Sequence, residues 1–378
     1  MAQIYFLKWA LFINTNKIIK INTKYLFLVL IFCSIESLAS RARLSALQNN
    51  SHIADTENIF LYPTKMSEYD SFLSVESGAT TATDLSSGAF AAGLVHLNNK
   101  GMAVFSEATL GFSLGRKNDV SDSARKYFNK ITTETFELSQ NSAQILWSYK
   151  LNGETFGLGI FTSGKNDKVN LTSESTQVLN FGYRKGFITF SATAPLVNEV
   201  VTSTNKKLNF SDALTALVLY EIDTLVLSAD VDNFYAEQKN SGNVVNSLEQ
   251  QSFRLSLSET THFEINKLFY RVDLQVKNLK YRLTDVKVRE NKLPLTLGLE
   301  SEVNTWLVLR TSIQQAVLIY QTENLPAAEN STLAAFGAGL KFKNIILDGT
   351  FSDLIGSAQT GSLSGNQFLG QVALTATF

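Results

Sequence analysis

The chain has 378 residues, 33 basic and 34 acidic, for a net charge of −1. That balance leaves no electrostatic footprint for nucleic acid. Hydrophobic residues make up 44%, which fits a soluble protein or a barrel whose alternate residues face lipid.

At the start of the chain, Lys17, Lys20 and Lys24 precede the apolar run Tyr25 to Cys33, and Ser37-Leu38-Ala39 follow. Basic, apolar, small is the order of a cleaved secretory signal, here with an extended basic region. The run is about nine residues, far below the ~20 of a membrane-spanning helix; its alternative is a buried core helix. Phe32 is too bulky for lipoprotein cleavage before Cys33. Removal of residues 1–39 takes away the only cysteine, so the mature chain has no disulfide framework and no Cys-based metal site. That fits an oxidising envelope compartment. Residues 40–69 read as a periplasmic or plug segment and residues 70–378 as the folded body.

From about Asp70 the hydrophobic pattern has period two. Leu268, Tyr270, Val272, Leu274 and Val276 share one face, opposite Phe269, Arg271, Asp273, Gln275 and Lys277. The segments around Trp147, Phe181, Leu227, Leu297 and Phe336 divide the same way. Very short connections are expected at Asn98–Lys100, Asn152–Glu154, Lys185–Gly186, Asp223, Glu264–Asn266, Asn304–Thr305 and Lys343–Asn344. Longer polar ones are expected over 116–141, 165–174, 198–212, 238–249 and 284–292. Short and long alternate, as in an all-β, up-and-down antiparallel transmembrane barrel and not in a Greek-key sandwich. The count is about sixteen strands of roughly ten residues, the length a tilted strand needs to cross a bilayer; fourteen holds if two weaker strands do not cross.

Pro63, Pro195, Pro294 and Pro326 are all expected outside strand interiors. Tyr149, Phe156, Tyr183, Tyr220, Phe263, Trp306, Phe342 and Phe378 gather beside the short turns, as in an interfacial girdle. The last strand places Leu374, Ala376 and Phe378 on one face. A terminal aromatic on an alternating strand resembles the signal read by the barrel assembly machinery. With the leader, it places the chain in the outer membrane of a Gram-negative cell, with outer-membrane lipids and lipopolysaccharide as neighbours.

The segment Arg41-Ala42-Arg43-Leu44-Ser45-Ala46-Leu47, followed by His52 to Pro63, resembles the start of the long-chain fatty-acid outer-membrane transporter superfamily (FadL-like barrels). Ala54-Asp55 and Pro63 match its Ala-Asp-Asp and Asn-Pro-Ala stretches; Thr56, Tyr62 and Thr64 depart from them. The resemblance implies a luminal N-terminal plug, fourteen strands and hydrophobic cargo.

The inward face is expected to carry Glu107, Lys150, Arg184, Asp230, Asp232, Arg254, Arg271, Asp273, Lys277, Glu300, Glu302, Arg310, Lys341 and Asp348. A basic side chain facing lipid at mid-membrane costs about 2–4 kcal/mol, so these must face water or one another. Two arrangements follow: opposed acidic and basic walls around an aqueous path, or paired charges closing the lumen. Solvated or paired wall positions are the bland reading of each. His52, His96 and His262 lie in no hydrolase motif, and no nucleophile sits beside a base as catalysis requires, so no catalytic residue is expected. No loop has calcium-site spacing; no metal and no cofactor is expected. The long loop 116–141 is expected to hold a short helix over 121–131, capped by Ser121 or Asp122, and to lie outside the barrel as a solvated flap. Two functions stay open. One is transport, of small solutes by diffusion or of hydrophobic molecules; the other is a closed-lumen structural or surface-contact barrel.

Overall fold

The computed structural model describes residues 40–47, 53, 55–78, 90–97, 107–116, 118, 122, 125, 128, 129, 136, 138, 139, 141–169, 171–202, 204, 206–281, 286–322, 331–350 and 371–378. The leader, Cys33, His52, Ala54, the turn at 98–100 and Pro326 lie outside them.

Two short helices open the described chain, α1 (Arg41–Ala46) and α2 (Asn58–Leu61), followed by a 3₁₀ turn (Pro63–Glu68). Sixteen strands follow: β1 (Phe72–Gly78), β2 (Phe90–Leu97), β3 (Ala108–Leu114), β4 (Ala143–Leu151), β5 (Glu154–Asp167), β6 (Thr172–Lys185), β7 (Ile188–Val201), β8 (Lys206–Ile222), β9 (Leu225–Asn240), β10 (Asn243–Phe263), β11 (Asn266–Tyr281), β12 (Val286–Glu302), β13 (Leu307–Gln321), β14 (Ser331–Phe342), β15 (Ile345–Thr350) and β16 (Gln371–Thr377). Each pairs antiparallel with its sequence neighbours, and β1 closes on β16 from Phe72↔Thr377 to Gly78↔Gln371. The strand number is sixteen, not the fourteen that the family resemblance implies.

Alternation decides which side faces out. Leu295, Leu297 and Leu299 on β12, and Val272 and Leu274 on β11, are exposed, while Arg271, Asp273, Thr296 and Glu300 between them are buried. A band of exposed Leu, Ile, Val and Phe encircles the barrel, an outside that only lipid or detergent can cover. Tyr149, Phe156, Tyr183, Tyr220, Phe263, Trp306 and Phe342 ring that band beside the short turns, with Phe156 and Tyr183 ring centroids 5.3 Å apart. The short turns carry the positive φ of tight hairpins, as at Asn152 (51°) and Gly153 (82°), the type I′ geometry that matches strand twist.

The opposite end departs from the expectation. Strands β5 to β13 run 14–21 residues, well past the roughly ten needed to cross. Most of the expected long loops are therefore hairpin. Residues 238–249 fold as β-strand around the two-residue turn Ser241-Gly242, with φ of 49° and 87°. The connection in 198–212 shrinks to 202–205, and that in 165–174 to 168–171. Above the belt the outer face no longer meets lipid and the apolar residues lie on the inner face instead, so outward hydrophobicity stops marking the strand while its hydrogen-bond ladder continues.

Pro195 and Pro294 lie inside β7 and β12, contrary to expectation. Both sit where the ladder gives way. The β6–β7 register shifts beside Pro195, and β11–β12 pairs are missing between Val272↔Leu295 and Gln275↔Lys292. A residue with no N–H fits only such an interruption.

Candidate functional site

The candidate functional site is the lumen, which described residues enter from both ends.

At the short-turn end, the described residues of 40–69 pack against the inner wall. Ser40 caps α1 by accepting from the Arg43 N–H (3.3 Å). This aims Arg43 at the wall, where its guanidinium grips Glu300 through Nε (2.6 Å) and Nη2 (3.1 Å). Arg310 donates from Nε to the same carboxylate (2.7 Å) and from Nη1 to Asp348 (2.6 Å). Asp348 in turn accepts from the Ser40 hydroxyl (3.1 Å). Asp55 lies 3.5 Å from Arg43 and accepts from the Glu57 N–H (3.0 Å). Arg43, Asp55, Glu300, Arg310 and Asp348 are all buried. Burial pushes the Asp55 carboxyl above its ordinary range, against the pull of Arg43.

The wall is shaped for this segment. Gly337 faces Ala46, and a Cβ at 337 would lie 2.6 Å from the Ala46 Cβ. Gly157 faces the 3₁₀ turn, where a Cβ would lie 2.7 Å from the Pro63 Cβ and 2.8 Å from the Thr64 nitrogen. Wall side chains also satisfy carbonyls left open where α2 ends: Asn180 donates to the Phe60 carbonyl (2.9 Å) and Ser191 to that of Leu61 (2.6 Å). At the rim, Lys65 meets Glu221 (2.5 Å), and Arg184 pairs with Glu68 and Glu221. Burial pushes the Lys65 amine below its ordinary range, with Glu221 pulling the other way.

Midway, the charges sit as neighbours along one sector of wall. Arg254 of β10 bonds Asp230 of β9 (2.7 Å), and Arg271 bonds Asp273 two residues along β11 (2.5 Å). Asp232 accepts from Thr215 (2.9 Å) and Gln250 (3.2 Å). Lys277 stands opposite Glu290 and Ser252. Acid and base are therefore paired side by side, and the opposed-walls arrangement does not hold in this sector. Lys341 joins Glu302 (2.7 Å) near the short turns.

At the other end, described residues of 118–139 lie inside the barrel, not outside as a flap. Phe128 and Phe136 are fully buried, edge to face at 6.3 Å. They pack with Val200, Leu208, Phe234, Ala236, Leu248, Leu279 and Val288 on the inner faces of β7 to β12. Residues 122, 125, 128 and 129 are helical. The Asp122 carboxylate accepts from the Ser139 N–H (2.9 Å) and hydroxyl (2.8 Å); Ser121 lies outside the described residues. Arg125 donates to Glu174 (3.2 Å), Thr176 (2.5 Å) and Asn198 (2.5 Å) on β6 and β7.

Of the charges expected inside, Glu300, Arg310, Asp348, Arg271 and Asp273 are buried in the lumen, and Asp230, Asp232, Arg254, Lys277, Arg184 and Lys341 face it. Glu107 and Lys150 are exposed at the short-turn rim, where the Lys150 N–H donates to the Glu107 carbonyl (3.3 Å). Leu374 faces outward, and Phe378, 71% exposed, donates its N–H to the Ser71 carbonyl (3.0 Å). Sequence reasoning missed Arg43, Asp55, Lys65, Glu221 and Arg125. The legible signal for the first group was the run of inward-facing glycines at 157, 182 and 337, which marks where a second layer touches the wall.

No protein-family model matches the chain, nor does any curated protein. Similar solved structures include CdiB from Acinetobacter baumannii, at 11% identity and a TM-score of 0.45, covering 82% of this chain. This chain spans 60% of CdiB's length. The CymD monoaromatic hydrocarbon channel is similar at 9% identity and 0.39, covering 90% of this chain and 98% of that one. Outer-membrane expressed OmpT of Vibrio cholerae follows at 10% and 0.37, covering 81% and 95%. The chain is a transmembrane antiparallel β-barrel of sixteen strands.

Proposed function

We propose that this barrel is a gated transporter of the bacterial outer membrane, with residues 40–69 as the gate and hydrophobic molecules as cargo. The observation that carries this reading is the buried network from Arg43 to Glu300, Arg310 and Asp348, which holds the segment across the lumen. An open diffusion channel has no use for such a block. A second observation favours hydrophobic cargo. The ladder between β7 and β8 has no described pairs between Thr193↔Thr215 and Glu199↔Asn209. Phe210 and Ala213, on that stretch of β8, pack against the apolar cluster inside. An apolar surface thus leads from the upper lumen to a break in the wall flanked by exposed Leu196 and Leu214.

Proteoliposomes test this. The intact protein should give no osmotic swelling with small sugars, yet should speed entry of a fluorescent long-chain fatty acid. Swelling at the rate of an open porin would overturn the gate. No effect on fatty-acid entry, with the barrel folded, would overturn the cargo and favour the closed structural reading.

A further inference from the structure

A second charged feature lies on the outside of the barrel. The outward positions of β11 read Leu268, Tyr270, Val272, Leu274 and Val276, then Asn278 and Lys280. Those of β12, from its far end down, read Lys287, Arg289 and Asn291, then Leu293, Leu295, Leu297 and Leu299. The belt gives way to cations at the same height on both strands, on the side away from the short turns. Lys280 pairs directly with Lys287, and Asn278 with Arg289. Directly paired residues on one face stand about 5 Å apart, and like charges there repel. The carboxylate on this face is Glu249, opposite Lys280 on β10. Three cations against one carboxylate leave a positive excess. These residues, with Gln251, line a groove of about 470 Å³. At the same level β9 and β10 present uncharged Asn233 and Gln251, so the positive charge belongs to this sector.

A groove with a positive floor, opening directly above an acyl-chain surface, matches one ligand chemistry: a phosphorylated headgroup whose tails lie on the belt. We propose that Lys280, Lys287 and Arg289 bind the phosphates of lipid A in the outer leaflet. Acyl chains run down over Val276 and Leu293, and the phosphates sit among the three cations. Arg289 supplies the planar fork that suits phosphate, and the lysines supply point charge. A bridging anion turns the Lys280–Lys287 repulsion into a shared attraction. This inference rests on the outer-membrane reading above; it does not depend on the gate.

The test is calorimetric titration of the full-length protein in detergent with bisphosphorylated lipid A and with its dephosphorylated form. The native protein should bind the phosphorylated lipid about tenfold or more tightly than the dephosphorylated one. The Lys280→Gln/Lys287→Gln/Arg289→Gln variant should lose that preference, and Lys287→Gln alone should lose part of it. Equal preference in native and triple-variant protein would overturn the proposal. So would displacement of lipid A by inorganic phosphate at matching concentration, which would mark a free-anion site. Heat-modifiable migration, measured on the same samples, separates two failures. If it is kept and the preference is absent, the headgroup site alone falls; if native protein lacks it and stays soluble without detergent, the membrane reading falls first.

Discussion

At the short-turn end the lumen is closed by charge: two guanidiniums and three carboxylates, buried together and joined by bonds of 2.6 to 3.5 Å. At the hairpin end the described residues meet it with phenylalanines, and the cluster around Arg125 ties them to β6 and β7. The difference lies in how each end can open. An apolar contact weakens in proportion to the area it loses and tolerates sliding. A buried ion pair does not: removing one partner strands the other without water, so the arrangement is held or released as a whole. In the proposed gate the ionic end would be the latch and the apolar end the adaptable lid, so that an apolar molecule enters the second without disturbing the first.

Substitutions can break this comparison, and Glu300→Ala should act most strongly. It leaves Arg43 and Arg310 facing each other without their shared acceptor, at a cost of about 3–5 kcal/mol. The loss should appear as a lower temperature for the heat-modifiable transition; an unchanged transition would mean the network holds nothing. Phe128→Ala should cost about 3 kcal/mol, confined to the apolar end. It should be read as proteolytic sensitivity within 118–139, with the barrel's transition unmoved. Gly157→Leu should come next. Its side chain would drive Pro63 and Thr64 off the wall, where even a Cβ comes within 2.8 Å, and should speed proteolysis of residues 40–69 while the strands stay intact. Lys65→Met should act least. Lys65 is buried, but its partner Glu221 is partly exposed and keeps Arg184 beside it, so removing the amine strands no buried charge.

What the sequence made legible follows the lipid. A count of about sixteen strands, most of the short turns and the aromatic girdle were readable because the belt imposes strict alternation. Above the belt that constraint ends, so Gln238 to Glu249 looked like loop although each residue but one of 243–249 pairs with β9, across a register shift between Val244 and Asn246. Pro195 and Pro294 misled for a related reason: a proline excludes a regular ladder, and these strands break theirs locally. The inward charges were legible as a set but not as partners. Arg43 and Glu300 are separated by 257 residues, and only closure of the barrel brings them together. The helices of six and four residues are too short to show a period.

Closure of the conduction path by residues 40–69 can be read as single-channel current in planar bilayers, from the intact protein and from a variant lacking those residues. The first should be silent and the second should give discrete, stable steps, with Glu300→Ala flickering between them. Equal steps from both, or silence from both with the barrel folded, would contradict it.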